Sequence, residues 1–373
     1  MAATDLSVKD KSRSALRFHP VQFIDKLHPS KPVLRVKNRH FEPVSVEYSL
    51  PNHSAVFAPT SRSWHEAGEE DILRFKEGVQ IALYVLYALN VSSGQCVVQR
   101  ESVRDYSVYQ ITGTSSLDWN GDPENDQKAR LLSYGADVEC MVRNQKTGRW
   151  VSASSIMAEN GTIGYDDTIA VNGKKVLRPI LELRPQPAAT ARQLHRNLYD
   201  LYVKLESYLA KNYLQTVGSG FGRFHVGGHL HVGQQPLTFQ HVRNLDVFLA
   251  IPFALLETGD SRQRRRQFGK LGSARPNAFS GFEYRTLPSW YAFIPDLLPV
   301  LEWFCYINEH PDTFPTLNFS SKMLRGYYWH SIRDLTEVSK KIELICRDSL
   351  PSEDFNRYAV PFFRLIHRKE GVI

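Results

Sequence analysis

Residues 19–50 alternate apolar and polar side chains, with β-branched residues and proline punctuation in KPVLRVKNRHFEPVSVEYSL, a pattern that predicts short strands. The period then changes. In EEDILRFKEGVQIALYVLYALN, residues 69–90, the large apolar residues fall three and four apart, which predicts a helix stopping at Asn90. Between 113 and 128 the chain turns to Gly, Ser, Asn, Asp and Pro, the chemistry of a linker, and a domain boundary is expected there, separating residues 1–125 from 126–373. Beyond it, strand-like stretches at 131–143, 168–184, 223–233 and 280–287 are interleaved with helical ones. The longest helix is expected over 190–214, with a leucine stripe from Leu194 to Leu209 for the core and Thr190 as N-cap, and the chain from about Pro295 reads as largely helical. No Gly-rich βαβ fingerprint is present, so the expected class is α+β, a largely antiparallel sheet carrying helices on one face.

Composition narrows this only modestly. A chain of 373 residues that is 42% hydrophobic can bury a large core in two domains. The apolar runs at 79–91 and 245–257 are too short to span a bilayer, and the N-terminus lacks the apolar stretch of a secretory signal, so a cytoplasmic protein without a membrane anchor is expected. Four scattered cysteines without a CxxC pair argue against a zinc ribbon or a disulfide framework. A net charge of +7 suggests an anionic partner, and nucleic acid, nucleotide and acidic peptide all qualify.

The informative feature is a spacing that recurs. Asp137 and Glu139, Glu182 and Arg184, His229 and His231, and Glu283 and Arg285 are pairs of polar residues one residue apart inside strand-like segments. Side chains in a strand repeat every two residues, so each pair points to one face while Val138, Leu183, Leu230 and Tyr284 point to the other. Such a surface needs a charged ligand to offset desolvation. Carboxylates with imidazoles suit a divalent cation, Mg²⁺ or Mn²⁺ rather than zinc, and arginines suit phosphate, so the combination suggests phosphoryl transfer from a nucleotide.

The ordered segments GADVEC, LELRP, GGHLHVG and FGKLGSARPNAFSGFEYRTLPSW resemble the carboxylate-amine ligases of the glutamine synthetase and glutamate-cysteine ligase superfamily, with the closest likeness to the phage-type COOH-NH2 ligases, or amidoligases. The resemblance covers roughly residues 130–290 and leaves the smaller N-terminal α/β region without a role. It implies a glutamine synthetase-like catalytic domain with a curved, half-barrel antiparallel sheet and helices on its outer face. It further implies ATP and Mg²⁺ (or Mn²⁺) as cofactors, with an amide or peptide bond formed through an acyl phosphate. By the same resemblance Asp137, Glu139, Glu182, His229 and Glu283 are metal ligands, although Asp137 stands where glutamine synthetases carry Glu. His229, His231, Arg184, Lys270 and Arg275 are expected around the nucleotide, and Lys270, Arg275, Glu283 and Arg285 at the reacting phosphate. The partners implied are a carboxylate and an amine, from an amino acid, peptide or protein terminus, in a bacterial or phage-infected cell, with self-association left open.

Taken singly, each signal has a plainer reading. A His-x-His strand commonly holds satisfied histidines, and a Glu-x-Arg pair is commonly a cross-strand salt bridge. Asp166 in IGYDDT reads as a turn cap as readily as a site residue, and GSGFG, 218–222, lacks the Lys-Ser/Thr of a P-loop and reads as a turn into the histidine strand. RQRRR, 262–266, reads as a solvated loop, with a mobile basic flap over phosphates as the alternative. A metallohydrolase has no need of Arg275 and Arg285. A non-catalytic protein of the same fold that binds nucleic acid is the other competing class, and nucleic acid is the weaker expectation among the partners.

Overall fold

The computed structural model describes residues 22–28, 30–50, 64–103, 105–114, 132–172, 175–220, 222, 224–257 and 263–368. Most of the linker expected at 113–128, the charged N-terminal tail and Arg262 lie outside them. Chain contacts divide the protein into two compact units, one of 1–127 with 238–240 and 318–324, the other of 128–237, 241–317 and 325–373.

In the first unit the expected alternation forms β2, Val33–Arg39, which buries Val33, Leu34 and Val36 and exposes Lys37 and Arg39. With β1 (Gln22–Phe23), β3 (Glu42–Ser49), β4 (His65–Glu66), β5 (Ser93–Arg100) and β6 (Tyr106–Thr114) it forms a sheet of order β1-β6-β5-β2-β3-β4, antiparallel except for the β1–β6 pair. The expected 69–90 helix is two helices, Glu69–Arg74 and Lys76–Ala88, because Phe75 leaves helical geometry at φ −109°, ψ 19°. The second helix packs Val79, Ala82, Val85 and Leu86 onto the sheet, at roughly 1.5–3 kcal/mol for each large aliphatic side chain. Gly78 permits this approach, since a Cβ there would collide with Leu34 and Tyr106. Asn90, the expected stop, adopts φ 58°.

The second unit is built on β7, Ser133–Asn144. Its first half pairs antiparallel with β14 (Gly228–Gly233) on one edge, and β12 (Ile180–Leu183) pairs on the other. The full order is β15-β16-β14-β7-β12-β9, with β9 at Ile163–Tyr165, β15 at Ala274–Pro276 and β16 at Phe282–Tyr284, while β8 (Trp150–Val151) and β13 (Leu214–Val217) pair with the far end of β7. Every pairing here is antiparallel and the sheet is open. The 168–184 stretch is not one strand: Ala170–Asn172 (β10) and Lys175–Leu177 (β11) form a separate hairpin before β12.

Helices cover the apolar face. Ala191–Lys211 starts where Thr190 Oγ1 accepts from Gln193 N, and buries Leu194, Leu198, Leu205 and Leu209. Leu298–Glu309, Ile332–Ser349 and Val360–His367 complete the expected C-terminal helical region. Val138, Leu183, Leu230 and Tyr284 are at most 1% exposed, as their position between the polar pairs requires. The reading of RQRRR as a solvated loop is overturned at Arg264 and Arg265, which are 3% and 2% exposed in a single helical turn, Arg264–Gln267. Arg265 pairs with buried Glu257 and donates to the carbonyls of Tyr327 (2.6 Å) and Ala254 (3.0 Å), so tertiary partners draw inward a run that is polar by composition. All four cysteines are buried free thiols, and among the described residues no helix is long and apolar enough to cross a membrane.

Candidate active site

Strand register assembles the polar pairs into rows on one face. Glu139 stands opposite Glu182, His229 opposite Asp137, and His231 opposite Glu283, which in turn faces Arg275. Since Leu183 pairs with Val138 and Leu230 with Tyr284, one further residue sets Arg184 beside Asp137 and Arg285 beside His229. On the other side of His231 the register partner is Gly135, which leaves open the space a side chain would fill.

Contacts follow from these rows. His231 Nε2 is 2.7 Å from Asp137 Oδ2. His229 Nδ1 is 3.3 Å from Glu283 Oε1, and its Nε2 is 3.9 Å from Glu139 Oε1. Glu283 is held from the rim by Arg275 Nε at 2.5 Å and flanked by Arg285 Nε at 3.3 Å. Arg184 pairs with Glu182 and donates to the carbonyls of Glu159 and Tyr165, so it is anchored to the loop before β9 as well as to the cluster. Glu139 Oε2 accepts from Gly227 N at 2.5 Å.

Burial dominates the electrostatics. It pushes Glu139 and Glu182 up to about 7, with neighbouring carboxylates adding to the effect. His229 is held well below its ordinary value by burial and then by Arg264. For His231 burial works the other way from its partner: the hydrogen bond and charge of Asp137 outweigh desolvation and the ring is raised. Lys270 is lowered by burial; its carbonyl accepts from Thr286 Oγ1 at 3.0 Å, tying the turn before β15 to the residue after Arg285. Asp166 caps its turn, accepting from Thr168 N at 2.7 Å, and its charge also presses on Glu139 and Glu182.

The donor set fits a divalent cation. One ligand atom from each of Asp137, His231 and Glu283 lies within 4.8 Å of the others, and the same is true of Asp137, Glu182 and His229. Glu283 Oε1 is buried and makes no hydrogen bond, with Arg285 Nε and His229 Nδ1 each 3.3 Å away, so it keeps lone pairs that a cation could use. The family profile described as phage phiEco32-like COOH.NH2 ligase-type 2 matches residues 134–372, nearly the whole of the unit that carries this cluster. The chain belongs to that family.

The sheet face of carboxylates rimmed by arginines lies within the residues that the COOH.NH2 ligase profile covers. No curated protein sequence matches the chain. Among solved structures it is similar to a novel glutamine synthase homolog, at 12% identity over 73% of this chain and 77% of that one, TM-score 0.36. It is also similar to an apo GmaS without ligand, at 10% identity over 83% and 90%, TM-score 0.37, and to the Plasmodium falciparum glutamine synthetase, at 10% identity over 81% and 79%, TM-score 0.31.

Two buried groups at this sheet escape a pattern-based reading. Arg264 reaches His229 Nε2 at 3.5 Å, although nothing in RQRRR distinguishes the inward arginine. Asp246, fully buried, accepts from Tyr284 Oη at 2.6 Å and braces β16 from behind. Its signal was an acid at the start of the apolar run LDVFLAIPFALLE.

Proposed function

We propose that this protein is an ATP-dependent carboxylate-amine ligase that activates its carboxylate as an acyl phosphate. The observation that carries the reading is the clustering of Asp137, Glu139, Glu182 and Glu283 with two histidines on one sheet face, beside Arg275 and Arg285. Asp137, Glu182, His229, His231 and Glu283, with Glu139 beside them, would hold divalent cations. Bound there, the metal neutralises phosphate charge and orients the nucleotide.

The chain's own groups do the rest. Arg275 and Arg285 face the γ-phosphate of ATP and offset charge that builds as it passes to a carboxylate oxygen, with Lys270 as the nearby third cation. The new acyl phosphate has an electrophilic carbonyl. An amine attacks it, the C–O bond to phosphate breaks, and the amide forms as phosphate and a proton leave.

Hydroxylamine stands in for the amine and makes the test independent of the natural acceptor. With ATP, Mg²⁺ and a panel of amino acids, peptides and polyamines, ADP release coupled to hydroxamate is expected. The Glu283→Ala variant is expected to lose roughly 10²-fold or more of that rate. Absence of Mg²⁺-dependent ADP release with any carboxylate, together with identical behaviour of Glu283→Ala, rules the proposal out.

A further inference from the structure

Arg184 is expected around the nucleotide, yet its hydrogen bonds go to the chain itself. Nη1 donates to the carbonyls of Glu159 at 3.0 Å and Gly161 at 3.4 Å, and Nη2 to that of Tyr165 at 3.1 Å and to Glu182 Oε2. Its backbone N–H donates to Thr162 O at 2.8 Å. One loop thus closes around a single side chain, and Tyr165 Oη ties that loop across itself by donating to Glu159 Oε2 at 3.3 Å. Gly164 keeps the room for it: a Cβ there would collide with Arg184 Nη1 and with Glu159 O.

A guanidinium is a planar fork of N–H donors with no acceptor, and the carbonyls of a loop need donors. One arginine meets both needs here. A phosphate held by arginine takes two N–H bonds side by side, and with all four Nη hydrogens engaged Arg184 has no such pair to offer. Arg275 and Arg285 differ, since each meets Glu283 through Nε. The loop leads directly to Asp166, whose charge reaches both Glu139 and Glu182.

We infer that Arg184 is a positioning residue: it is the peg that holds the Glu159–Tyr165 loop against Glu182, fixing that edge of the cluster, and it does not contact the nucleotide. This role deepens the ligase reading and rests on it for purpose, though not for geometry. The phosphate-facing work stays with Arg275 and Arg285.

Arg184→Lys separates the two roles, because lysine serves a phosphate as a point charge but lacks the planar fork. Gly164→Ala disturbs the same peg with the arginine in place. In the full-length protein, hydrogen exchange read by mass spectrometry is expected to quicken roughly tenfold or more over 159–165 in both variants. With ATP, Mg²⁺, hydroxylamine and the carboxylate that gives most hydroxamate, kcat is expected to fall roughly tenfold or more in both, while KM for ATP stays within about twofold. Exchange over 159–165 as in the parent overturns the inference. So does a KM for ATP that rises in Arg184→Met and returns in Arg184→Lys, which is the behaviour of a phosphate contact. A faster loop with unchanged kcat overturns the positioning role. A parent that forms no hydroxamate with any carboxylate counts against the ligase reading, while exchange still decides what Arg184 holds.

Discussion

Glu139 and Glu182 face each other across the β7–β12 pair, and burial raises both to about 7. An unfolded glutamate titrates near 4.3. A carboxyl raised on folding contributes stability that is complete below the unfolded value and is lost as pH rises through the folded one, here between about 4.3 and about 7. A divalent cation at the proposed site would bind the ionised pair and reverse that loss. The rise in Tm caused by Mn²⁺ is therefore expected to be larger at pH 8 than at pH 6, and scanning fluorimetry at the two pH values checks it. Equal shifts would place the cation away from these carboxylates. That such residues share a face was legible in the sequence, because a strand's period of two converts i and i+2 into neighbours without knowledge of the fold. The burial of Arg264 was not, because an arginine's depth depends on which carbonyls distant segments bring to it, here those of Arg285 and Thr286.

At the scale of elements, the sequence located β7 and β14 well and β16 poorly. β7 is long and mostly buried, so its pattern survives local noise, whereas β16 keeps only Phe282–Tyr284 as strand and depends on its neighbours. Tyr284 Oη donates to fully buried Asp246 at 2.6 Å, and Thr286 Oγ1 is 3.4 Å from the same oxygen. These contacts hold from behind the strand that presents Glu283 in front. Tyr284→Phe leaves a buried carboxylate short of a donor, at a cost of roughly 1–3 kcal/mol. Urea unfolding followed by circular dichroism is expected to show that loss, and titration with Mn²⁺ a weaker affinity, since Glu283 lies next in the strand. Unchanged Mn²⁺ affinity alongside the lost stability would show that β16 keeps its position without the brace. The split of 69–90 at Phe75 was illegible because apolar spacing continues through it, whereas the hairpin inside 168–184 carried its own signal, Asn-Gly at 172–173, which the reading of a single strand passed over.

On the scale of the whole chain, the family match begins at Tyr134 and leaves the six strands of the first unit outside it. That unit is not assembled from the N-terminal segment alone: Phe239 lies within 4.6 Å of Phe41 and 5.2 Å of Tyr87, ring to ring, and Phe319 within 6.1 Å of Tyr87. No local pattern announces such returns, because a segment of three residues carries no period of its own. The proposed cation ligands, by contrast, all lie on one sheet of the other unit, where β7, β12, β14 and β16 share backbone hydrogen bonds. Binding energy at the ligands is therefore passed first to those strands, and their amides should open less often once the carboxylates are neutralised. Hydrogen exchange read by mass spectrometry, with and without Mn²⁺, is expected to slow in peptides covering 133–144, 180–183, 228–233 and 282–284, with 33–49 and 93–114 exchanging as before. Protection that instead appeared in 33–49 and 93–114 would move the cation site to the first unit and overturn the assignment of Asp137, Glu182 and Glu283 as its ligands.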